Sequence, residues 1–191
     1  MENLYIDQHY NLVVEAKKQN RKAQYELYKL YSKSMYNIAM RILNHEEEAA
    51  DVLQESFLDA FLRMGDFRQE SSFGWWIKQI VINKSLSQVR KRRTEIIPLD
   101  GRVEDIPDEC PEDNEEIEYQ VNQVKEAMLV LPEHYRIILS LFLLEGYDHE
   151  EIAHILKITE TTSRSQVLRA KRKLIEIIKS QKTTNKEEDE R

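Results

Sequence analysis

Residues 94–118 hold three of the chain's four prolines, one of its four glycines, and eleven acidic residues against a single basic one, Arg102. A stretch so charged and so poor in large apolar side chains cannot bury enough surface to offset the entropy of ordering it. It reads as a flexible linker. The 191 residues are therefore not one continuous core but two small domains flanking this strap. Outside it, only Gly65, Gly74, Gly146 and Pro132 remain as chain breakers. Such scarcity argues against a turn-rich β architecture and for helices. The expected fold is all-α: two small helical domains at 10–93 and 119–180, an acidic linker at 94–118, and a disordered tail at 181–191.

The strap also changes the meaning of the net charge. A value of −7 over the whole chain, taken as an average, argues against a nucleic-acid partner. By segment, residues 1–93 carry 15 basic and 12 acidic side chains, net +3, while 94–118 is net −10. Residues 119–182 carry 10 basic and 8 acidic, net +2, and 183–191 is net −2. One segment holds more than the whole acidic excess, and both domains it joins are positive.

Several function classes fall away. No apolar run approaches the ~18 residues of a membrane span, and the amino terminus has neither a basic start nor an apolar signal core. Cys110 is the only cysteine, which excludes an internal disulfide and a thiolate metal cluster. Within the linker, nothing nearby depresses its pKa, so it is assigned no chemistry. His149 and His154 stand at i and i+5, about 140° apart on a helix, whereas the metalloprotease pattern needs i and i+4. No phosphate-cradling glycine loop, Ser/His/Asp set or paired carboxylates stand out. The expectation is a cytoplasmic, non-catalytic chain without metal, cofactor or membrane insertion, monomeric when free.

Both domains show helical periodicity. From Arg21 to Leu43, Leu27, Leu30, Tyr31, Met35, Ile38, Ala39 and Ile42 follow the three-four spacing of an amphipathic helix. Asn44 then offers a helix cap, with Glu46, Glu47 and Glu48 in the next first turn. That helix runs to about Met64 over Ala49, Val52, Leu53, Phe57, Ala60 and Phe61, and Gly65 stops it. A loop from Asp66 to Ser72 leads to a third helix reaching about Arg93 through Trp76, Ile77, Ile80, Val81, Leu86 and Val89. In the second domain a helix from near Glu115 ends against Pro132, another spans Glu133 to Glu145, and Gly146 closes it. Asp148 and Glu151 have capping-box spacing. The turn Lys157-Ile-Thr159 then separates the helix through Ala153 from a long one, Glu160 to about Lys179, which is helix-turn-helix spacing.

On that last helix Arg164, Arg169, Lys171, Arg172 and Lys173 place five cations in ten residues with no acid among them. Thr161, Thr162, Ser165 and Gln166 add short polar groups able to reach base edges or phosphates in a major groove. A second basic run, Arg90-Lys-Arg-Arg93, ends the first domain's third helix, which also carries Asn83, Lys84 and Ser87 after Trp75 and Trp76. Aromatic rings beside cations suit unpaired bases, where stacking gives ~1–3 kcal/mol per base. Trp76, in line with Ile80, fits the core as well as a binding role, while Trp75 faces away from Ile77 and Ile80.

Glu47-Glu-Ala-Ala-Asp-Val-Leu-Gln-Glu-Ser-Phe57, Phe67-Arg-Gln-Glu-Ser-Ser-Phe73 and Trp76-Ile-Lys-Gln-Ile-Val-Ile-Asn83 together resemble region 2 of extracytoplasmic-function sigma factors. These are small two-domain relatives of the housekeeping bacterial sigma factor. Leu131-Pro-Glu-His-Tyr-Arg136, Glu145-Gly146, Glu150-Glu-Ile-Ala153, Ile155-Leu156 and Arg169-Ala-Lys-Arg-Lys-Leu174 resemble region 4. The resemblance implies a sigma initiation factor that binds core RNA polymerase and promoter DNA. The helix with Asp51, Gln54, Glu55 and Phe57 then docks on the clamp coiled coil of the polymerase β′ subunit, and region 4 meets the β flap. The loop with Phe67, Arg68, Ser71 and Ser72 holds a flipped base of the −10 element's non-template strand. Trp75, Trp76, Asn83, Lys84, Ser87 and Arg90 lie along the −10 DNA. Thr161, Thr162, Arg164, Ser165, Gln166, Arg169, Lys171 and Arg172 enter the −35 major groove. An anti-sigma factor is a partner common in the family.

Three positions depart from the family pattern. Lys157 stands in the turn where the family often has Gly, so the turn is expected to take a form open to a side chain. Ser163 replaces a usual Val at the helix seam, and Trp75 makes a tandem tryptophan pair like that of the housekeeping factors. The competing readings are a stand-alone helix-turn-helix regulator, which would bind a palindrome as a dimer, and an interaction protein with a degenerate domain. No dimer seam is evident, and the dense basic helix argues against the second.

Overall fold

The computed structural model describes residues 8–68, 71–96 and 121–189. Gln69, Glu70, the expected helix start at Glu115, Cys110 and all of the acidic strap after Ile96 lie outside the described residues. Every regular element among those described is helical. They form two compact units, separating between Lys91 and Arg92.

The first unit starts with α1 (Tyr10–Lys17) and α2 (Arg21–Leu43). Asn20 opens α2, its side chain accepting the Lys22 and Ala23 N–H groups at 3.0 and 3.4 Å. The cap expected of Asn44 is made differently. Asn44 closes α2 in the left-handed region, φ 52 and ψ 37, a conformation Asn tolerates. His45 then opens α3 (Glu46–Leu62), its Nδ1 accepting from the Glu48 N–H at 3.4 Å. The three glutamates do occupy the first turn of α3, where the macrodipole favours them. A short 3-10 turn, Met64–Asp66, follows, and α4 (Phe73–Ile96) completes the unit. Leu27, Ile42, Leu43, Met64, Phe73, Ile77 and Ile82 are fully buried. Leu30, expected inside, is exposed at the edge of the α2 core face, and Phe61 is half-buried.

The second unit contains α5 (Val121–Val130), α6 (Glu133–Leu139), α7 (His149–Leu156) and α8 (Glu160–Asp189). The helix expected over Glu133 to Glu145 widens after Leu139 into a π segment, Ser140–Leu144, where the Glu145 N–H reaches the Ser140 carbonyl at 3.0 Å. Gly146 leaves it at φ 76, a backbone that L side chains rarely adopt. Buried Arg136 donates to the Leu131 carbonyl at 3.2 Å, tying α6 to the end of α5. Burial pushes its guanidinium below the ordinary arginine value. Ile138, Leu139, Leu141 and Ile152 form the centre, against Val167, Ala170, Leu174 and Ile178 of α8. Helix α8 continues through the residues expected as a disordered tail, as far as Asp189. No Gly or Pro interrupts 181–189, and its Glu and Lys residues are good helix formers.

Candidate nucleic-acid interface

In the second unit, local chemistry builds a helix-turn-helix. Asp148 Oδ1 accepts the Glu151 N–H at 2.8 Å, and Glu151 Oε2 accepts the Asp148 N–H at 2.9 Å, completing the capping box its spacing implies. Lys157 ends α7 in the left-handed region, φ 58 and ψ 47, and the Ile158 N–H reaches back to the Ala153 carbonyl at 3.1 Å. The turn thus keeps a glycine-like backbone and places a lysine on it, rather than taking a form that suits a side chain. Thr159 opens α8, its Oγ1 accepting the Thr162 N–H at 3.1 Å.

The Ser163 departure is matched from α7. Ser163 is fully buried, and its hydroxyl lies 3.1 Å from His149 Nδ1. The His149 ring stacks on Phe142 at 4.9 Å, and the Lys171 ammonium stands over Phe142, also at 4.9 Å from the ring centroid. A polar seam with an aromatic backing therefore replaces the methyl contacts a valine would make.

Ser163, Val167, Ala170, Leu174 and Ile178 bury one side of α8. At 3.6 residues per turn, the side opposite carries Thr161, Ser165, Leu168 and Arg172, with Arg169 beside them. Thr162 and Gln166 lie on one flank, and Arg164 and Lys171 on the other. Arg164 is exposed and paired with Glu160 one turn earlier. Ser165 donates to the Thr162 carbonyl at 3.1 Å. Lys171, drawn over Phe142, belongs to the edge of this face rather than its centre. Leu168, exposed at its middle, has no counterpart in the expected contact set; its signal was an apolar residue in an otherwise polar stripe.

The first unit presents two faces. On α3, Asp51, Gln54 and Glu55 are exposed, whereas Phe57 turns inward at 3% exposure, edge-on to Tyr28 at 4.9 Å. Phe57 therefore shapes this face from beneath instead of contributing its ring to it. The exposed apolar residues here are Leu58 and Leu62, at 62% and 80%, on the stripe that continues from Asp51 and Glu55. Sequence periodicity passed over both because they fall on the polar side of α3.

On α4, Trp75, Asn83, Ser87 and Arg90 are exposed, Trp75 at 46%. Ser72 opens this helix, its Oγ accepting the Trp75 N–H at 3.1 Å, and Arg68 is exposed in the preceding turn. Trp76 is half-buried and stacks on Phe67 at 5.0 Å and 29°. Phe67 itself is buried, meeting Phe73 edge-on at 6.1 Å. Phe73 in turn meets Tyr31 at 5.4 Å. An aromatic floor thus lies under the turn, with Trp75 standing outside it.

Lys84 departs from the exposed stripe of α4. Its Nζ is 2.8 Å from Asp59 Oδ2 and 3.3 Å from Glu55 Oε2, a clasp between α4 and α3. Hydrogen bonding to Asp59 holds the ammonium above the ordinary lysine value, and the same bond holds the Asp59 carboxyl below its ordinary one. A residue expected on DNA is so joined to Glu55, a residue expected on a protein partner. Among the described residues, no three His, Cys, Asp or Glu side chains come together as metal ligands, and no helix is long and apolar enough to cross a membrane.

Two family models match the chain: "Sigma-70 region 2" over residues 27–95 and "Sigma-70, region 4" over 122–174. The RNA polymerase sigma-H factor of Pseudomonas aeruginosa is 31% identical over 175 residues, covering 83% of this chain and 88% of that one. The ECF RNA polymerase sigma factor SigM of Bacillus subtilis is 27% identical over 153 residues, covering 78% and 91%. Among solved structures, the sigma factor RpoE of Bartonella quintana, in complex with the anti-sigma factor NepR, superposes with a TM-score of 0.55 at 24% identity, over 81% of this chain and 95% of that one. CnrH, in complex with the cytosolic domain of CnrY, gives 0.56 at 20% identity, over 91% and 99%.

Proposed function

The chain belongs to the sigma-70 family, among its extracytoplasmic-function members, and on that premise we propose that it carries core RNA polymerase to promoters by reading a −10 and a −35 element and capturing melted −10 bases. It is a non-catalytic initiation factor, acting where the bacterial polymerase acts, in the cytoplasm. The observation that carries the reading is the α7–turn–α8 arrangement. A three-residue turn and a buried seam leave α8 with an outward face of Thr161, Ser165, Arg169 and Arg172, flanked by Thr162, Gln166, Arg164 and Lys171. That is the chemistry of a recognition helix, with short polar groups at its amino end and cations for phosphates further on.

The first unit supplies the other half of the reading. Trp75, Asn83, Ser87 and Arg90 along α4, with Arg68 before it, face the −10 DNA, and the turn at Phe67 holds an unstacked base above the aromatic floor. Capture of that base offsets the few kcal/mol that unstacking costs. Asp51, Gln54 and Glu55, with Leu58 and Leu62, form the face for the β′ clamp coiled coil; the second unit meets the β flap. The 24 residues between α4 and α5, 97–120, reach at most ~80 Å, enough to let both units engage one promoter. Joining two weak readers raises the effective concentration of each for its element. The family reading also brings an anti-sigma protein as a partner.

Run-off transcription tests the proposal. The full chain added to core polymerase, on templates selected from a randomised pool, yields transcripts from discrete start sites sharing two spaced elements. Tight binding to a palindrome without polymerase, with no discrete transcripts, would overturn it in favour of a stand-alone regulator.

A further inference from the structure

Lys17, the last residue of α1, reaches a part of the chain fifty positions away. Its Nζ donates to the Phe67 carbonyl at 2.6 Å in a part-buried contact, and the ammonium also stands over the Phe67 ring, 5.6 Å from its centroid. Phe67 is the first residue after the 3-10 turn, with an extended backbone at φ −69 and ψ 103. Its carbonyl lies outside any helical ladder in a residue only 3% exposed, where a backbone acceptor needs a partner. A charged donor supplies a stronger bond than a neutral one. The aromatic partners of its ring come from α4, through the stack on Trp76 and the edge contact with Phe73. Phe67 is thus held by α1 through its carbonyl and by α4 through its ring. The region 2 match begins at residue 27, so α1 and Lys17 lie before it.

We propose that Lys17 is a positioning residue for the base-holding turn. By clamping the Phe67 carbonyl and covering its ring, it fixes the turn's entry at Phe67 against Trp76. This rests on the reading that the turn holds a melted base. Without the clamp the Phe67 entry must be ordered at the moment of capture, and that ordering is drawn from binding. A lysine acting only as a phosphate contact behaves differently, because losing it lowers the salt dependence of DNA binding by about one counterion.

The test uses holoenzyme assembled from core polymerase and the full chain, carrying Lys17, Lys17→Met or Lys17→Arg. The probe is the non-template-strand oligonucleotide of a promoter obtained in the run-off selection, with permanganate reactivity of −10 thymines on the matching duplex as a second readout. Methionine keeps the apolar stem and removes the donor; arginine keeps a donor and a cation. Lys17→Met should weaken strand binding about tenfold, the scale of one charged hydrogen bond. Permanganate reactivity should fall with it, while core affinity, −35 duplex binding and the salt slope stay unchanged. Lys17→Arg should remain within about threefold of the parent. Unchanged strand binding in Lys17→Met overturns the clamp. So does a salt slope reduced by about one, which makes Lys17 a phosphate contact, or a parallel loss of core affinity and melting temperature, which makes it merely structural. If the parent itself ignores base identity in the oligonucleotide, the capture reading fails and the clamp with it, a result distinct from the other three.

Discussion

Replacing Lys157 with glycine should stabilise the second unit. Lys157 sits at φ 58 and ψ 47, where an L side chain costs roughly 1–2 kcal/mol. Glycine meets no such penalty but brings about 0.5–1 kcal/mol of extra unfolded-chain entropy. Lys157 is exposed, so removing its side chain forfeits no buried packing. The balance is a net stabilisation of about 0.5–1 kcal/mol. The Ile158 N–H to Ala153 carbonyl bond holds the left-handed geometry in place, so the backbone cannot simply relax to avoid the strain. Amide hydrogen exchange on the full chain reads the difference, with α2 and α3 amides as internal reference. Under equilibrium-limited opening, the slow amides of α7 and α8 should exchange about two- to fivefold more slowly in Lys157→Gly. Lys157→Val should speed them, because a β-branched residue is still less tolerant of positive φ. Faster exchange in the glycine variant, or a valine variant indistinguishable from the parent, would refute the assignment of strain to this residue.

Four other substitutions separate the faces and seams. A Cβ on Gly74 comes within 2.7 Å of Tyr31 Cε1, so Gly74→Ala should destabilise the first unit by ~1 kcal/mol, overpacking of ~1–3 kcal/mol outweighing the helix gain of alanine; denaturation followed by tryptophan fluorescence, to which only this unit contributes, should show a lower midpoint. Because Lys84 holds the Asp59 carboxyl below its ordinary value, the contribution of that bond is present above the ordinary value and is lost as pH falls through the lowered one. The gap in melting temperature between parent and Asp59→Asn should therefore be open at neutral pH and close below about pH 4; a gap that persists in acid would assign the effect to something other than the ion pair. Asp51→Arg reverses charge on the exposed α3 face and should lower core polymerase affinity by about tenfold or more, with an unchanged fluorescence midpoint. Arg169→Ala should weaken −35 duplex binding by ~1–3 kcal/mol, measured by fluorescence anisotropy, and leave core affinity intact.

Much of the fold was legible because it follows from local chemistry. The capping box at Asp148 and Glu151, the three-residue turn after Leu156 and the acidic first turn of α3 all form where their spacing places them. Each depends on residues within one helical turn, and such signals survive whatever packs around them. Errors arose where two signals competed for one position. Asn44 serves as a helix end, not a beginning, because His45 beside it can also cap. In the tail, where fraying is the sequence expectation, α8 instead continues to Asp189. The widening after Leu139 into a π segment carries no local mark at all.

The candidate faces divide in the same way. Residue type and period alone determined an all-α chain, a strap that separates two positive helical segments, and a basic helix behind a tight turn. The tertiary structure decided which side chains of those helices are available. Phe57 and Phe67, both named by motif, are buried, and Lys84 is clasped by Asp59 and Glu55. Leu58, Leu62 and Leu168, which no motif singled out, are exposed. Lys17 meets Phe67 although fifty residues separate them. The reason is physical: a helix and its caps arise from interactions a few residues apart, whereas exposure and long-range pairing depend on which helix packs where, and that is set only when the core closes.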